Sequence, residues 1–309
     1  MINRELIRLK VVQIVYAYYR NEGKTMEAAE KEFLFSLSKA YDLYHSLLQL
    51  MVSIHYIGLR IAEVQQSRAN RLHIQADVPT KFINNRFIVQ LQKNEQLQAS
   101  QATQIIPWSE EEQEFLRRLY MQITEQEFYK EYLASSEDSY DEDRELWRKI
   151  YRHLLCNNEE LDNILEENCL YWNDDKVIVD TFVLKTIRRF DEAKGARQEL
   201  LPQFRSDEDK EFALNLFHVS IENETFYREL IKEQTLHWDI ERIASMDLVI
   251  MQVALAEITS FQEIPINVSI NEYVEIAKQY STPRSGSYIN GMLDTIAKRL
   301  LSENKIDKV

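Results

Sequence analysis

His153, Cys156 and Cys169 are the side chains closest to a zinc-ligand set in this 309-residue chain. Structural zinc sites pair their ligands at short spacings on two sides of the ion. Cys156 and Cys169 are 13 residues apart with no such pairing, so no metal site is implied. Serines, histidines and aspartates are present, but no Gly-x-Ser-x-Gly elbow presents a serine as a nucleophile. No glycine pair has GxG or GxxxxGK spacing, so the usual dinucleotide and phosphate cradles are missing. The sequence therefore offers no catalytic residues, implies no cofactor, and reads as a non-enzyme. Charge is the remaining chemistry. Arg68–Lys93 carries Arg68, Arg71, Lys81, Arg86 and Lys93 against Asp77 alone, whereas Glu110–Glu145 holds 13 acids and 4 bases. The basic segment is either an RNA-binding extension or a solvated surface balancing the acidic run. Asp247 stands in an otherwise apolar helix and needs a partner; Arg242, five residues earlier, is one candidate.

Composition limits what can position these groups. Five glycines and five prolines are too few for folds built on tight turns, where positive φ favours glycine. An apolar share of 45% with 28% charged residues describes a globular chain. The weight of Leu, Glu, Gln, Lys and Ala points to an all-helical protein. The net charge of −14 opposes long-range attraction of nucleic acid, so such binding must come from local basic groups. Two cysteines fit a reducing cytoplasm. The first ten residues, with Arg4, Glu5, Arg8 and Lys10, lack a signal-peptide core, and the apolar runs near Val11–Tyr19 and Leu47–Ile54 look too short to span a membrane.

Apolar periodicity places a first helix over Arg4–Arg20, closed near Gly23, and a long second helix from Thr25 past Ile61. Ser109 followed by three glutamates reads as an N-cap. Further helices fall near Arg144–Cys156, Glu159–Leu170, Lys176–Glu192, Asp209–Asn223, Phe226–Thr235, Ile240–Ser260 and Ser269–Tyr280. Ile240–Ser260 is apolar on most sides and should be the most buried. Thr282-Pro283 reads as N-cap and N1 of a final helix. Gly291 inside that helix suggests a closely approaching backbone. Offset by 66 residues, Asp143, Glu145, Asn157, Glu167, Leu170 and Trp172 recur as Asp209, Glu211, Asn223, Glu233, Leu236 and Trp238. A duplicated helical unit and chance identity in amphipathic helices both remain open.

Three stretches of the last third form an ordered motif set: Trp238-Asp-Ile-Glu-Arg-Ile; Pro265-Ile-Asn-Val-Ser-Ile-Asn-Glu272 with Glu275-Ile-Ala-Lys278; and Ser285-Gly-Ser-Tyr-Ile-Asn-Gly-Met-Leu-Asp294. In this order they resemble the NusB family of transcription antitermination factors. The first helix is similar too, with Gln13 three residues before Tyr16 and basic residues ahead of it. Ile250-Met-Gln-Val-Ala-Leu-Ala-Glu257 departs from the family pattern, with Gln252 in place of arginine and Ala256 in place of tyrosine. Near Arg284 the family often has an acid.

The resemblance implies an all-α, NusB-like bundle made of residues 1–24 and 206–309, interrupted by an inserted helical region over 25–205 with its own core. The first helix should pack with the last third. The implied function is binding of a single-stranded rRNA leader (boxA-like) together with the ribosomal protein NusE, within a transcribing RNA polymerase complex in the cytoplasm, with no membrane partner. Arg4, Arg8 and Lys10 would meet phosphates, Tyr280 and Tyr288 would stack on bases, and Tyr16 and Asp247 would face NusE. The rival reading is a helical protein–protein scaffold that kept the fold and lost RNA binding. Asn271 and Asn290 read as structural.

Overall fold

The computed structural model describes residues 1–21, 23–101, 108, 112–235 and 243–308. Among them are fifteen α-helices and no strand. The chain divides into two compact units, one of Ile2–Leu37 with Phe204–Val309, the other of Ser38–Gln203 with Met1. They are called here the composite and the inserted unit.

The composite unit contains α1 (Arg4–Arg20), α11 (Asp207–Glu222), α12 (Glu224–Gln234), α13 (Ser245–Ser260), α14 (Ile266–Tyr280) and α15 (Ser285–Ser302). Asn3 caps α1, its side chain accepting the Leu6 amide at 3.0 Å. α1 packs on α11, α13 and α14, which satisfies its apolar face despite the long intervening sequence. α13 is the core helix, and every residue from Val249 to Ile258 is buried. The early turns of α2 (Met26–Leu72) also belong here, with Phe33 stacked on Phe217 at 5.3 Å.

From Ser38 onward α2 belongs to the inserted unit. The other helices of that unit are α3 (Thr80–Ile83), α4 (Arg86–Gln92), α5 (Glu95–Gln101), α6 (Gln113–Glu125), α7 (Glu127–Ala134), α8 (Tyr140–Ile150), α9 (Glu159–Asn168) and α10 (Lys176–Arg189). Contrary to the sequence reading, α2 is long and apolar enough to cross a membrane by length and composition. Its apolar side chains Tyr44, Leu47, Leu48, Met51 and Ile54 are instead fully buried core. They join an aromatic cluster in which Phe82 lies 5.7 Å from Trp147 and 5.4 Å from Tyr129. Two of the five cations of the basic segment are matched by acids. Lys81 pairs with Glu142 at 2.7 Å, and Arg86 with Asp138 at 3.0 Å and Asp143 at 3.3 Å.

Helices α8, α9 and α10 begin at residues 140, 159 and 176, and α11, α12 and α13 at 207, 224 and 245. The helical layout thus repeats at close to the 66-residue offset. Trp238 and the acidic N-cap at Ser109 lie outside the described residues.

Two expectations about the last helix are corrected. α15 starts at Ser285, with Arg284 at its cap position, not at Pro283. Gly291 is exposed, and a Cβ there would meet no atom within 4 Å. The crowded glycine is Gly58 on α2, where a Cβ would come within 2.7 Å of the Tyr120 ring and 2.8 Å of Phe82. Both rings belong to the packed cluster and cannot swing away. Gly58→Ala gains about 1 kcal/mol of helix propensity but incurs overpacking of roughly 1–3 kcal/mol. We expect net destabilisation at Gly58 and stabilisation by up to about 1 kcal/mol for Gly291→Ala, read by chemical denaturation of each variant.

Candidate nucleic-acid interface

The first turns of α1 present their cations unequally. Arg4 is partly exposed and loosely held. Its Nε lies 3.7 Å from Asp209, an Nη lies 4.0 Å from Glu263, and the guanidinium sits 4.8 Å from the Phe212 ring centre. Arg8, one turn on, is buried. It donates from Nε and Nη2 to both oxygens of Glu257 at 2.8 and 2.9 Å, and from Nη1 to Glu272 at 3.1 Å. Burial works against its charge, but the hydrogen bonds and attraction of Glu257 outweigh it and raise the pKa. Lys10 is also buried. A surface role for Arg8 or Lys10 therefore does not match their positions. The cause is that α1 is covered on every side over Leu6–Val12, so neither position reaches solvent.

Glu257 has no exposed surface. Besides Arg8 it accepts from Ser269 Oγ at 2.7 Å and Tyr273 Oη at 3.0 Å. The residues of the Pro265–Glu272 motif thus hold α14 onto α13 and, through Arg8, onto α1.

At the other end of the unit, Asp247 stands in the first turn of α13, where the helix dipole favours an acid. It is buried and accepts from Ser281 Oγ and, at 2.8 Å, from Ser285 Oγ. Ser285 Oγ in turn accepts the Thr282 amide at 3.2 Å. This network fixes the α14–α15 corner. Arg242, the partner considered from sequence, lies outside the described residues. Tyr288 is 39% exposed one turn into α15, and its hydroxyl pKa is raised by burial and by Asp247. Tyr280 and Tyr16 are half-buried, whereas Asn271 and Asn290 are exposed.

Sequence reasoning missed the hub at Gln252, seen there only as a departure. Its buried amide donates to Tyr19 Oη at 2.8 Å and to the Ser220 carbonyl at 2.6 Å. Arg228 lies over the Tyr19 ring at 4.8 Å and pairs with Glu224 at 2.9 Å. Beside it an open groove of about 700 Å³ is lined by Glu224, Arg228, Lys232, Ser245 and Leu248. Among the described residues, no group of three His, Cys, Asp or Glu side chains is placed to hold a metal. Burial pushes the half-buried Cys156 thiol up to about 11.

Comparison with known proteins identifies the family. The family model described as "NusB family" matches residues 176–298. The chain is 36% identical over 132 residues to the Transcription antitermination protein NusB of Salinibacter ruber, covering 41% of this chain and 82% of that one. The chain belongs to the NusB family. A NusB of Koribacter versatilis is 40% identical over 99 residues, 32% of this chain and 68% of its own. That of Thermodesulfovibrio yellowstonii is 36% identical over 133 residues, 43% of this chain and 83% of its own. A solved structure of T. maritima NusB aligns over 50% of this chain and 87% of its own at 28% identity, with a TM-score of 0.31. The family match begins at Lys176, so α10 falls within it although α10 is part of the inserted unit. α1 lies outside the match yet packs in the composite unit.

The corner network gives a direct check. Ser285→Ala removes one of two serine donors to a buried carboxylate. Losing a hydrogen bond to a buried charged group should destabilise the composite unit by about 1–3 kcal/mol. Faster hydrogen exchange confined to the amides at the start of α15 and α13 would report it; unchanged exchange would show the corner is held otherwise.

Proposed function

We propose that this NusB-family chain acts in transcription antitermination by binding a single-stranded, boxA-like rRNA leader together with the ribosomal protein NusE, in the cytoplasm and within a transcribing RNA polymerase complex. Family membership carries the antitermination role. The observations that support RNA contact are a weakly held surface cation, Arg4, at one end of the composite unit and an exposed aromatic, Tyr288, near Asp247 at the other. Arg4 offers a charge to phosphate at little cost, because its acidic neighbours sit beyond hydrogen-bond distance. Tyr288 offers a ring for an unpaired base, a contact worth roughly 1–3 kcal/mol. Tyr280 would support the stacking surface from the end of α14. In this reading Arg8 and Lys10 are structural. Tyr16 faces NusE, and Asp247 contributes by shaping the α14–α15 corner through Ser281 and Ser285.

The burial of Arg8 and Lys10 favours a second reading, a protein–protein scaffold with little affinity for RNA. Two of the three cations expected for phosphates are in the interior, and the chain carries −14 overall.

Anisotropy titration of a labelled leader RNA across a salt series separates the two. Arg4→Glu should weaken binding across sequences and reduce the salt slope by about one unit. Tyr288→Ala should weaken it about 5- to 150-fold, the equivalent of the stacking energy, and leave the slope unchanged. Parent-like RNA binding by both folded variants would show that Arg4 and Tyr288 are structural, and tight NusE capture with no measurable RNA binding by the parent would favour the scaffold.

A further inference from the structure

The end of α2 in the inserted unit is an unusual surface. Every residue from Glu63 to Arg68 is exposed, and only Ala62 and Ala69 are buried in the last three turns. Arg60, Arg68 and Arg71 are all exposed. Among the described residues none of the three makes an ion pair with a carboxylate. Arg60 instead lies 5.9 Å from the ring centre of Tyr56, which is 50% exposed, and Arg71 Nε donates to the Ser67 carbonyl at 3.4 Å. Lys81 and Arg86, from the same basic stretch, are each paired with acids. The charge balance that absorbs part of this segment therefore stops short of α2.

Helical geometry gathers these groups. Arg60, Val64, Ser67 and Arg71 follow the i, i+4, i+7, i+11 pattern of one helix face, with Tyr56 one turn before and Arg68 at its edge. Tyr56 to Arg71 spans about 22 Å at 1.5 Å per residue. The face has three guanidinium groups without a carboxylate partner among the described residues, against one exposed acid, Glu63, and carries an exposed ring in a chain of net charge −14. Its exposed apolar residues, Val64 and Leu72, are eight residues apart and do not form the continuous seam that a partner helix needs.

We infer that this face of α2 is a second binding surface for single-stranded RNA, in addition to the one proposed on the composite unit. The arginines meet successive phosphates, and Tyr56, braced by Arg60, stacks on a base. This rests on the RNA reading above in taking the same class of ligand, but on different residues in a different unit.

The test uses the full-length chain and two single-stranded RNAs, a boxA-like leader of about 12 nucleotides and the same sequence extended to about 30. The variant R60Q/R68Q/R71Q changes exposed side chains and is first checked for parent-like unfolding. It should bind the long RNA at least about tenfold more weakly and lower its salt slope by about two units, the loss of three phosphate contacts on a single strand. Binding of the short RNA should not change. Parent-like binding of the long RNA by this variant overturns the inference and leaves the composite-unit reading standing if Arg4→Glu still weakens the short RNA. The converse, long-RNA binding that needs the three arginines with no short-RNA binding by the parent, supports this inference and removes the other reading. No RNA binding by the parent overturns both. Parent-like RNA binding with loss of capture of an acidic protein would make this a protein-docking face and overturn the inference.

Discussion

A carboxylate with no exposed surface, Glu257 at the end of the core helix α13, organises the composite unit. Removing such a group from water costs several kcal/mol, and a single partner seldom offsets that. Here four hydrogen bonds converge on it: two from Arg8, one from Ser269 and one from Tyr273. Arg8 is itself buried and reaches Glu272 as well. The ion pair joins α1 to α13 across 249 residues of sequence. Neither charge is tolerable alone at this depth, so each specifies the position of the other.

This interaction shapes the surface as much as the core. Arg8 is engaged by Glu257 inside the bundle and Lys10 is buried, so Arg4 is the cation at the start of α1 that reaches solvent. Asp247 plays a comparable part at the far end of α13, drawing Ser281 and Ser285 into one corner and setting where Tyr288 emerges. The family motif around Pro265–Glu272 is thereby explained physically, since Ser269 and Glu272 both serve the buried pair. The inserted unit follows a different rule. Its interior is an aromatic cluster packed against Gly58, and Lys81 and Arg86 of its basic segment are matched to the acids of α8 and the loop before it.

The helices were largely legible in the sequence, because apolar residues at three- and four-residue spacing leave little alternative. α1 falls on Arg4–Arg20, and α13 is buried on nearly every side, as its composition implies. What spacing does not encode is which neighbour arrives from afar. Arg8 and Lys10 look like a basic arm until Glu257 is placed beside Arg8. Gly291 looks like a close-approach glycine, but the crowded one is Gly58, whose neighbours Phe82 and Tyr120 lie far along the chain. Thr282-Pro283 has good capping chemistry, yet a distant aspartate sets the corner. Gln252 registered as a missing arginine, and its links to Tyr19 and Ser220 needed three-dimensional placement.

The claim that the buried ion pair holds α1 in the bundle is tested most directly by a double-mutant cycle on Arg8→Met and Glu257→Gln, read as the opening free energy of α1 amides in native-state hydrogen exchange. Each single variant should lower that free energy by about 3–5 kcal/mol, because it strands a buried charge. The double variant, which removes both charges, should recover most of the loss, giving a coupling of about 2 kcal/mol or more. Additive losses, within about 0.5 kcal/mol, would show that the two residues act independently and not as a coupled pair, and would contradict the account.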